Sequence, residues 1–446
     1  MNNTDKYKKV YLAFLGLGSK NIETGKFDYK TAKYVLNEKI SSETKYVQIA
    51  ELELLGKGYF DKIIIVGTKK TDISEGSLDV HYEKLLDEAN AIGVDEHIFR
   101  KIEITDPLNY KSEWEWLNKI LAEIENNDTL VVDLTHGFRS SSIVFSAAIN
   151  LLIKTKNINL EAAYYGAYDS PDEIKPIINM KDYYIVNNWA DGVMRLVEVG
   201  DSKKLIDLIS TGNQTFNVGE LNNEQLKNAI VKVTDGFRNV DINNIYNYTK
   251  NLLDVINNIL NVNTLSEISK ILLNKIRVEF SPFAPESFNN NIYNKDYFEI
   301  QLKIIEYLIK HRLFMQAYTV MNELIASIGI LGSDRGINQR YDNSEGRGRR
   351  SYANIFLRMV SNEENNWKFT DEEQVMKDKL MNFYKKLSNK NIIVELRNLV
   401  KEIKPIRDGL DHAWTSKPKM EEDLENKSYQ SYEKLKYIII KLFEYV

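Results

Sequence analysis

Apolar and polar positions follow different periods in the two halves of the chain. In the first 190 residues, short β-branched runs alternate with segments whose apolar residues recur every three or four positions. The runs predict strands at Val10 to Leu15, Lys62 to Val66, Ile98 to Ile104, Thr129 to Asp133 and Leu160 to Tyr165. The intervening segments predict helices at Tyr46 to Leu55, Leu78 to Ile92, Trp114 to Ile124 and Ser140 to Ile153. This alternation is typical of a mostly parallel sheet with helices on both faces.

Strand signals end at about residue 190, and only the helical period continues. Helices are predicted at Val193 to Ile209, Glu224 to Phe237, Ile245 to Leu260, Leu265 to Ile276, Tyr297 to Ile328, Glu373 to Leu387 and Tyr432 to Tyr445. Two polar stretches, 281–291 and 332–350, are predicted loops. The predicted fold class is therefore α/β plus all-α. A Rossmann-like parallel-sheet domain at 1–190 precedes a helical connecting region at 191–300 and a helical domain at 301–446.

Composition narrows the class of protein. The chain has 446 residues, 43% of them hydrophobic, which favours two or three folded domains. Its net charge of −5 means that any nucleic acid has to be bound by a local basic patch. The absence of cysteine excludes disulfides, thiolate zinc sites and a cysteine nucleophile. The His, Asp and Glu residues show no metal-ligand spacing, so no metal is expected.

Two apolar segments need to be distinguished from membrane or export signals. The run Val10 to Leu17 lacks a small-x-small cleavage site and leads directly into Gly18 and Ser19, so it is interpreted as a buried strand. The run Ile143 to Ile153 is much shorter than the roughly 20 residues that cross a bilayer. We therefore expect a cytoplasmic protein that does not bind membranes.

Two sequences that follow predicted strands are candidates for a ligand site. In open parallel sheets, ligands bind beyond the carboxyl ends of the strands. The first predicted strand is followed by Gly16, Leu17, Gly18 and Ser19, and the fourth ends at Asp133 and is followed by Thr135, His136, Gly137, Phe138, Arg139 and Ser140. Hydroxyl groups, a glycine and a fixed cation before a helix predict an anion pocket. The alternative is that Asp133 and Ser140 only cap a helix.

The ends of two neighbouring predicted strands are further candidates for this ligand site. Thr68 follows Gly67 after the second predicted strand, and Gly166 follows the last one. The pair Gly16 and Gly18 lacks the third glycine of a dinucleotide fingerprint, because Asn21 stands there. A nicotinamide-linked enzyme is therefore only a minor alternative.

The run from Asp133 to Arg139 resembles a known family motif. Asp133-Leu134-Thr135-His136-Gly137 is similar to the motif of the CRISPR-associated DxTHG family, whose N-terminal domain is a CARF (CRISPR-associated Rossmann-fold) sensor. The resemblance covers roughly residues 8 to 190. It implies a dimer that binds cyclic oligoadenylate, with cyclic tetra-adenylate as the expected ring. It also implies that the loops Gly16 to Ser19 and Thr135 to Ser140 contact this activator.

A second resemblance lies in the helical half. Arg407-Asp408-Gly409-Leu410-Asp411-His412 matches the R-x4–6-H pattern of HEPN ribonucleases, although Asp408 stands where the family often has a polar amide. Histidine can move a proton near neutral pH and arginine supplies a permanent cation, as metal-independent RNA cleavage requires. Asp408 or Asp411 would orient His412 or raise its pKa; the alternative is that either caps a helix. His81, His97 and His311 are expected to be structural, the first two without companions.

The spacing of this pair predicts an oligomer. Five positions on a helix separate two side chains by about 140°, so a productive site needs two copies facing each other in a homodimer or higher even oligomer. Five arginines lie between 335 and 350, and three of them, Arg347, Arg349 and Arg350, are candidates to bind single-stranded RNA. The alternative for this segment is a solvated insertion.

Taken together, these motifs predict an endoribonuclease of type III CRISPR defence that is activated by cyclic oligoadenylate and needs no cofactor. The alternative class is a ligand-sensing regulator of transcription or of a partner protein, without nuclease activity.

Overall fold

The computed structural model describes residues 7–16, 19–20, 27–68, 78–104, 110–136, 139–211, 218–286, 288, 293–333, 346–415 and 422–445. Only the backbone is described at 19–20, 27–28, 68, 78–80, 110, 112–113, 139–143 and 346–350. The chain divides into two compact units, Met1–Ile185 and Val186–Val446.

The first unit is built on a sheet. Its described strands are β1 (Lys9–Leu15), β2 (Ser19–Lys20), β3 (Phe27–Asp28), β4 (Lys33–Leu36), β5 (Lys39–Ile40), β6 (Lys62–Thr68), β7 (Phe99–Ile104), β8 (Thr129–Asp133), β9 (Asn159–Gly166) and β10 (Ile174–Asn179). In the described residues, β2 pairs with β3, and the other eight strands form one sheet in the order β5-β4-β10-β9-β8-β1-β6-β7. The five neighbouring strands β9, β8, β1, β6 and β7 are parallel to one another. The edge adds antiparallel pairs, β10 with β9 and β4 with β5, that the sequence did not predict.

Helices cover both faces of this sheet. They are α1 (Val47–Leu55), α2 (Leu78–Ala91), α3 (Tyr110–Glu123) and α4 (Arg139–Thr155). Because successive side chains of a strand point to opposite faces, Tyr11 and Ala13 share a buried core with α1 and α2, and Leu12 and Phe14 share one with α3 and α4. The predicted sheet with helices on both faces is confirmed.

The strand order fixes where the sheet can bind a ligand. After β1 the chain first forms β4 and β5 at one edge of the sheet. It then adds β6 and β7 on one side of β1, and β8 and β9 on the other side. Such a reversal opens a crevice between the two central strands, at their carboxyl ends. Ala13 of β1 pairs in register with Asp133 of β8. The segments that begin at Gly16 and Leu134 therefore leave the sheet side by side.

The second half is helical, as predicted. Its helices are α5 (Lys181–Val199), α6 (Lys203–Ser210), α7 (Glu224–Arg238), α8 (Ile242–Leu260), α9 (Glu267–Phe280), α10 (Lys295–Lys310), α11 (Phe314–Leu331), α12 (Gly346–Ser361), α13 (Asp371–Ser388), α14 (Ile392–Asp411) and α15 (Leu424–Phe443). Helix α11 packs against α10, α12, α14 and α15 and so forms the centre of this unit. Its length and apolar composition would allow a membrane span, but 61% of it is buried inside the unit, which explains the apolar composition.

Three predicted boundaries in this half are wrong. The predicted helix Val193 to Ile209 is broken at Gly200, where φ is 65°, and the predicted helix Tyr297 to Ile328 is broken at Arg312, where φ is 58°. A left-handed residue reverses the direction of the chain, which a periodic apolar pattern does not reveal. The predicted loop 332–350 ends early, because residues 346–350 begin α12. Its residues 334–345 lie outside the described part.

Arg397 connects three helices of this unit. Its guanidinium donates hydrogen bonds to the carbonyl oxygens of Val360 (3.2 Å) and Asn362 (3.3 Å) and to the hydroxyl of Tyr384 (3.1 Å). These contacts join α14 to the end of α12 and to α13.

We expect Arg397→Met to lower the free energy of unfolding by about 1–3 kcal/mol, because the substitution removes three hydrogen bonds and, among the described residues, only the Asn362 carbonyl oxygen keeps another donor, Trp367. Thermal unfolding followed by circular dichroism measures the change. The matched control is Lys401→Met, on the exposed side of the same helix, which should leave the melting temperature nearly unchanged. Equal melting temperatures for the two variants would contradict this role of Arg397.

Candidate functional sites

A group of buried polar side chains lies where β1 and β8 end. We call Tyr11, Gln48, Glu51, Asp133 and Thr135 the Asp133 cluster. The Gln48 amide nitrogen donates to the carbonyl oxygen of Phe14 (2.9 Å) and to Oδ2 of Asp133 (2.7 Å). Oδ1 of Asp133 accepts from the Thr135 backbone N–H (2.8 Å) and from its hydroxyl. Tyr11 donates to Glu51 (2.7 Å).

The cluster contains two carboxyl groups with no access to water. Asp133 and Glu51 are each 0% exposed. Burial raises the pKa of Asp133 to about 6, and the hydrogen bonds from Thr135 and Gln48 oppose this shift. Burial and the nearby Asp133 charge raise the pKa of Glu51 well above its usual value. Asp133 therefore carries a negative charge at neutral pH, and the equilibrium of Glu51 is shifted toward its protonated form.

The sequence analysis missed Tyr11, Gln48 and Glu51. Helix α1 has the sequence VQIAELELL, and its residues from Val47 to Leu52 are all buried, the two polar ones included. A glutamine and a glutamate in the buried part of a short helix were the available signal, because such groups need partners in the core.

Thr135 extends the hydrogen bonds to a third strand. Its hydroxyl accepts from the backbone N–H of Gly166 at the end of β9 (2.8 Å). A Cβ at Gly166 would lie 2.4 Å from Cγ2 of Val47, so only glycine allows β9 to approach α1 this closely. The ends of β1, β8 and β9 are therefore connected through Gln48, Asp133 and Thr135.

His136 lies beside this cluster, among aromatic rings. Its imidazole meets the ring of Tyr29 edge to face, with centroids 5.4 Å apart. A Cβ at Gly16 would lie 3.5 Å from the His136 side chain, so the segment after β1 contacts the segment after β8. Burial lowers the pKa of His136 to about 4. His136 is therefore a neutral hydrogen-bonding group at physiological pH and adds no positive charge.

His81 is not isolated, contrary to the sequence prediction. Its Nδ1 is 3.2 Å from the hydroxyl of Tyr46, and its ring is 5.2 Å from that of Tyr29. It belongs to the aromatic group behind His136. The prediction failed because Tyr29 and Tyr46 come from distant positions in the sequence.

Several residues predicted for the ligand site cannot be located in full. Leu17, Gly18, Gly137 and Phe138 lie outside the described residues. Only the backbone is described for Ser19 in β2, for Thr68 at the end of β6, and for Arg139 and Ser140 at the start of α4. Their predicted contacts with an activator stay predictions.

The predicted catalytic residues lie at the end of α14. Arg407 precedes the last turn of α14, and His412 is the exposed C-terminal cap, whose backbone N–H donates to the carbonyl oxygen of Asp408 (3.1 Å). The guanidinium of Arg407 pairs with Asp408 (2.8 Å) and with Asp411 (3.4 Å). Both acids that follow Arg407 therefore partly neutralise its charge.

A tryptophan closes this end of the helix. Trp414 has a φ of 57°, and its backbone N–H donates to the carbonyl oxygen of Gly409 (2.7 Å). A Cβ at Gly409 would lie 2.5 Å from the indole ring of Trp414. The absence of a side chain at Gly409 allows the ring to fold back over the turn that carries His412. Trp414 was not predicted as part of the site.

The predicted RNA-binding arginines begin a helix. Arg347, Arg349 and Arg350 are in the first turns of α12, and their side chains are not described. Among the described residues, no group of three or more His, Asp and Glu side chains could hold a metal ion.

Comparison with known proteins gives one sequence relative. No family model matches the chain. The CRISPR-associated protein MJ1674 of Methanocaldococcus jannaschii is 24% identical, over 45% of this chain and 38% of that protein. The match therefore spans well under half of the length of this relative. The chain is related to a CRISPR-associated protein.

One solved structure aligns over most of the chain. Csm6 of Enterococcus italicus, bound to cyclic hexa-2′-fluoro-hexa-dAMP, covers 99% of this chain and 95% of its own, with a TM-score of 0.39 and 8% sequence identity. At this level of similarity the superposition does not decide the ligand or the activity of this chain.

The low pKa of His136 can be measured directly. The chain has five histidines, so ¹³C-histidine NMR can follow each imidazole from pH 3.5 to 8. We expect the resonance that His136→Gln removes to titrate at about 4, because burial disfavours the imidazolium. A midpoint near 6.5, the ordinary value, would show that solvent reaches this ring.

The contact between Gly409 and Trp414 predicts a strong coupling. We expect Gly409→Ala to lower the free energy of unfolding by about 1–3 kcal/mol through overpacking, although alanine favours helix more than glycine does. In a protein that already carries Trp414→Ala, the same substitution should change the free energy of unfolding little or not at all. A double-mutant cycle of thermal unfolding measures this difference, and additive effects would exclude the contact.

Proposed function

We propose that this chain is an endoribonuclease of type III CRISPR defence that is activated by cyclic oligoadenylate, with cyclic tetra-adenylate as the expected ring. The proposed protein is a cytoplasmic homodimer that cleaves single-stranded RNA without a metal. Residues 1–190 are the proposed CARF sensor, 191–300 the connection and 301–446 the HEPN domain. One observation carries the sensor assignment: Asp133, Thr135 and His136 of the Asp-x-Thr-His-Gly run lie at the reversal point of a Rossmann-like sheet, in a relative of a CRISPR-associated protein.

The sensor site suits a ring of phosphates and adenines. The N-terminal end of α4 offers backbone N–H groups, which favour phosphate, and Thr135, whose hydroxyl and backbone protons go to Asp133, holds the preceding turn in place. Arg139, the first residue of α4, is the proposed cation. His136, being neutral, is suited to hydrogen bonds with a base or a ribose hydroxyl. The activator would act only through a higher affinity for the competent form of the dimer, since equal binding to both forms shifts nothing.

Arg407 and His412 have the residue types that metal-independent cleavage needs. One His412 of the dimer takes the proton of a ribose 2′-hydroxyl, and the 2′-oxygen then bonds to phosphorus. The bond from phosphorus to the 5′-oxygen breaks, and the 5′-oxygen takes a proton from the second His412. This gives a 2′,3′-cyclic phosphate and a 5′-hydroxyl. Arg407 stabilises the charge on the crowded phosphate. Arg347, Arg349 and Arg350 are the proposed contacts for the RNA strand.

The second candidate is a sensor that binds ligand and regulates another molecule without cleaving RNA. One observation favours it: the Arg407 guanidinium is already paired with Asp408 and Asp411. RNA would have to compete with these two carboxylates for the cation.

RNA cleavage with and without activator distinguishes the two functions. We expect cyclic tetra-adenylate to stimulate cleavage of a labelled single-stranded RNA in the presence of EDTA. Arg407→Ala and His412→Ala should each lower the activated rate about 100-fold or more, because each removes a group that acts in the transition state.

The matched control is Lys401→Ala, which removes an exposed cation from the same helix and should leave the rate unchanged. An inert wild type with rings of three to six adenylates, together with tight binding of one of them, would favour the regulator. Unchanged cleavage in the double variant of Arg407 and His412 would exclude this catalytic site.

A further inference from the structure

Gln48 joins the two central strands of the sensor sheet at the point where they end. Its amide nitrogen donates one proton to the Phe14 carbonyl of β1 and the other to the Asp133 carboxylate of β8, at 2.9 and 2.7 Å. Both neighbours are acceptors, so only this orientation of the amide is chemically consistent. Each proton of the amide is therefore used to connect one of the two strands.

Packing alone does not explain this residue. Gln48 is 0% exposed, and its carbonyl oxygen has no hydrogen-bond partner in the described residues. A buried amide with an unpaired oxygen costs free energy that an apolar side chain of similar volume would not. The two hydrogen bonds from the Gln48 amide nitrogen, to Phe14 and Asp133, therefore suggest a functional reason for a glutamine at this position.

Those bonds act on the segments that would bind a ligand. Phe14 is followed by Leu15 and Gly16, where the segment after β1 begins, and Asp133 is two positions before Thr135. Asp133 in turn holds the backbone and hydroxyl of Thr135, which holds Gly166. A change at Gln48 therefore reaches both sides of the crevice without contact between Gln48 and a bound molecule.

We propose that Gln48 is a positioning residue that sets the spacing of the two segments and so the affinity for cyclic oligoadenylate. This inference rests on the proposed function of the sensor. Its specific content is that a residue of α1, outside the Asp-x-Thr-His-Gly run and inaccessible to solvent, determines ligand affinity through Asp133 and Phe14.

The test compares two polar residues of the same helix, only one of which bonds to the strand ends. Gln48→Met keeps the volume and removes both hydrogen bonds, and Gln48→Asn keeps an amide that is too short to reach both acceptors. Glu53→Gln is the control, because Glu53 is on the same helix and its carboxylate accepts from Ser42 instead of contacting the strand ends. The full-length proteins are titrated with labelled cyclic tetra-adenylate, and their thermal unfolding and RNA cleavage at saturating ligand are measured.

We expect both Gln48 variants to raise Kd about tenfold or more, with Glu53→Gln close to wild type. Cleavage at saturating ligand should be preserved, which a general loss of structure would not allow. Wild-type affinity in either folded Gln48 variant would overturn the inference. Unfolding of both variants would also overturn it, because Gln48 would then be a core residue only. If wild type binds no cyclic oligoadenylate of three to six adenylates, the proposed function itself fails.

Discussion

The Asp133 carboxylate, buried away from water, organises the strand ends of the sensor half. Asp133 is placed by its register with Ala13 at the end of the sheet, where a charge is costly unless donors surround it. Gln48 and Thr135 supply those donors from a helix and from the following turn. Thr135 also binds the backbone N–H of Gly166. The hydrogen bonds that stabilise the Asp133 charge therefore connect the ends of three strands.

The candidate catalytic residues in the helical half, in contrast, are accessible to solvent. Arg407 and its acidic partners are partly exposed, so solvent screens their interaction and its strength depends on the surroundings. A phosphate that displaces water there would strengthen its own attraction to the guanidinium. The turn that carries His412 is held instead by packing, through the indole ring of Trp414 over Gly409. The first site is built from obligatory buried bonds, and the second from contacts that a substrate can rearrange.

This difference suits the proposed division of labour. A sensor has to present the same crevice to each ligand molecule, and a rigid, fully buried network achieves this. A site that becomes productive only in one form of a dimer needs groups whose pairing can change at moderate cost. Neutral His136 and paired Arg407 both fit these requirements, because neither group attracts anions strongly without other contacts.

Local pattern predicted the central strands and most of the helices, because burial on two sheet faces requires apolar runs and burial on one helix face requires a three-to-four period. It did not predict the edge strands β4, β5 and β10 or the helices α12 and α14. The Asp133 to Arg139 run and the Arg407 to His412 pair were visible for the same reason: their members are neighbours in the chain. Gln48, Tyr29 and Trp414 were not, since their roles come from folding that brings them beside Asp133, His136 and Gly409. The breaks at Gly200 and Arg312 were also hidden, because a single left-handed residue changes the path of the backbone without changing its apolar period.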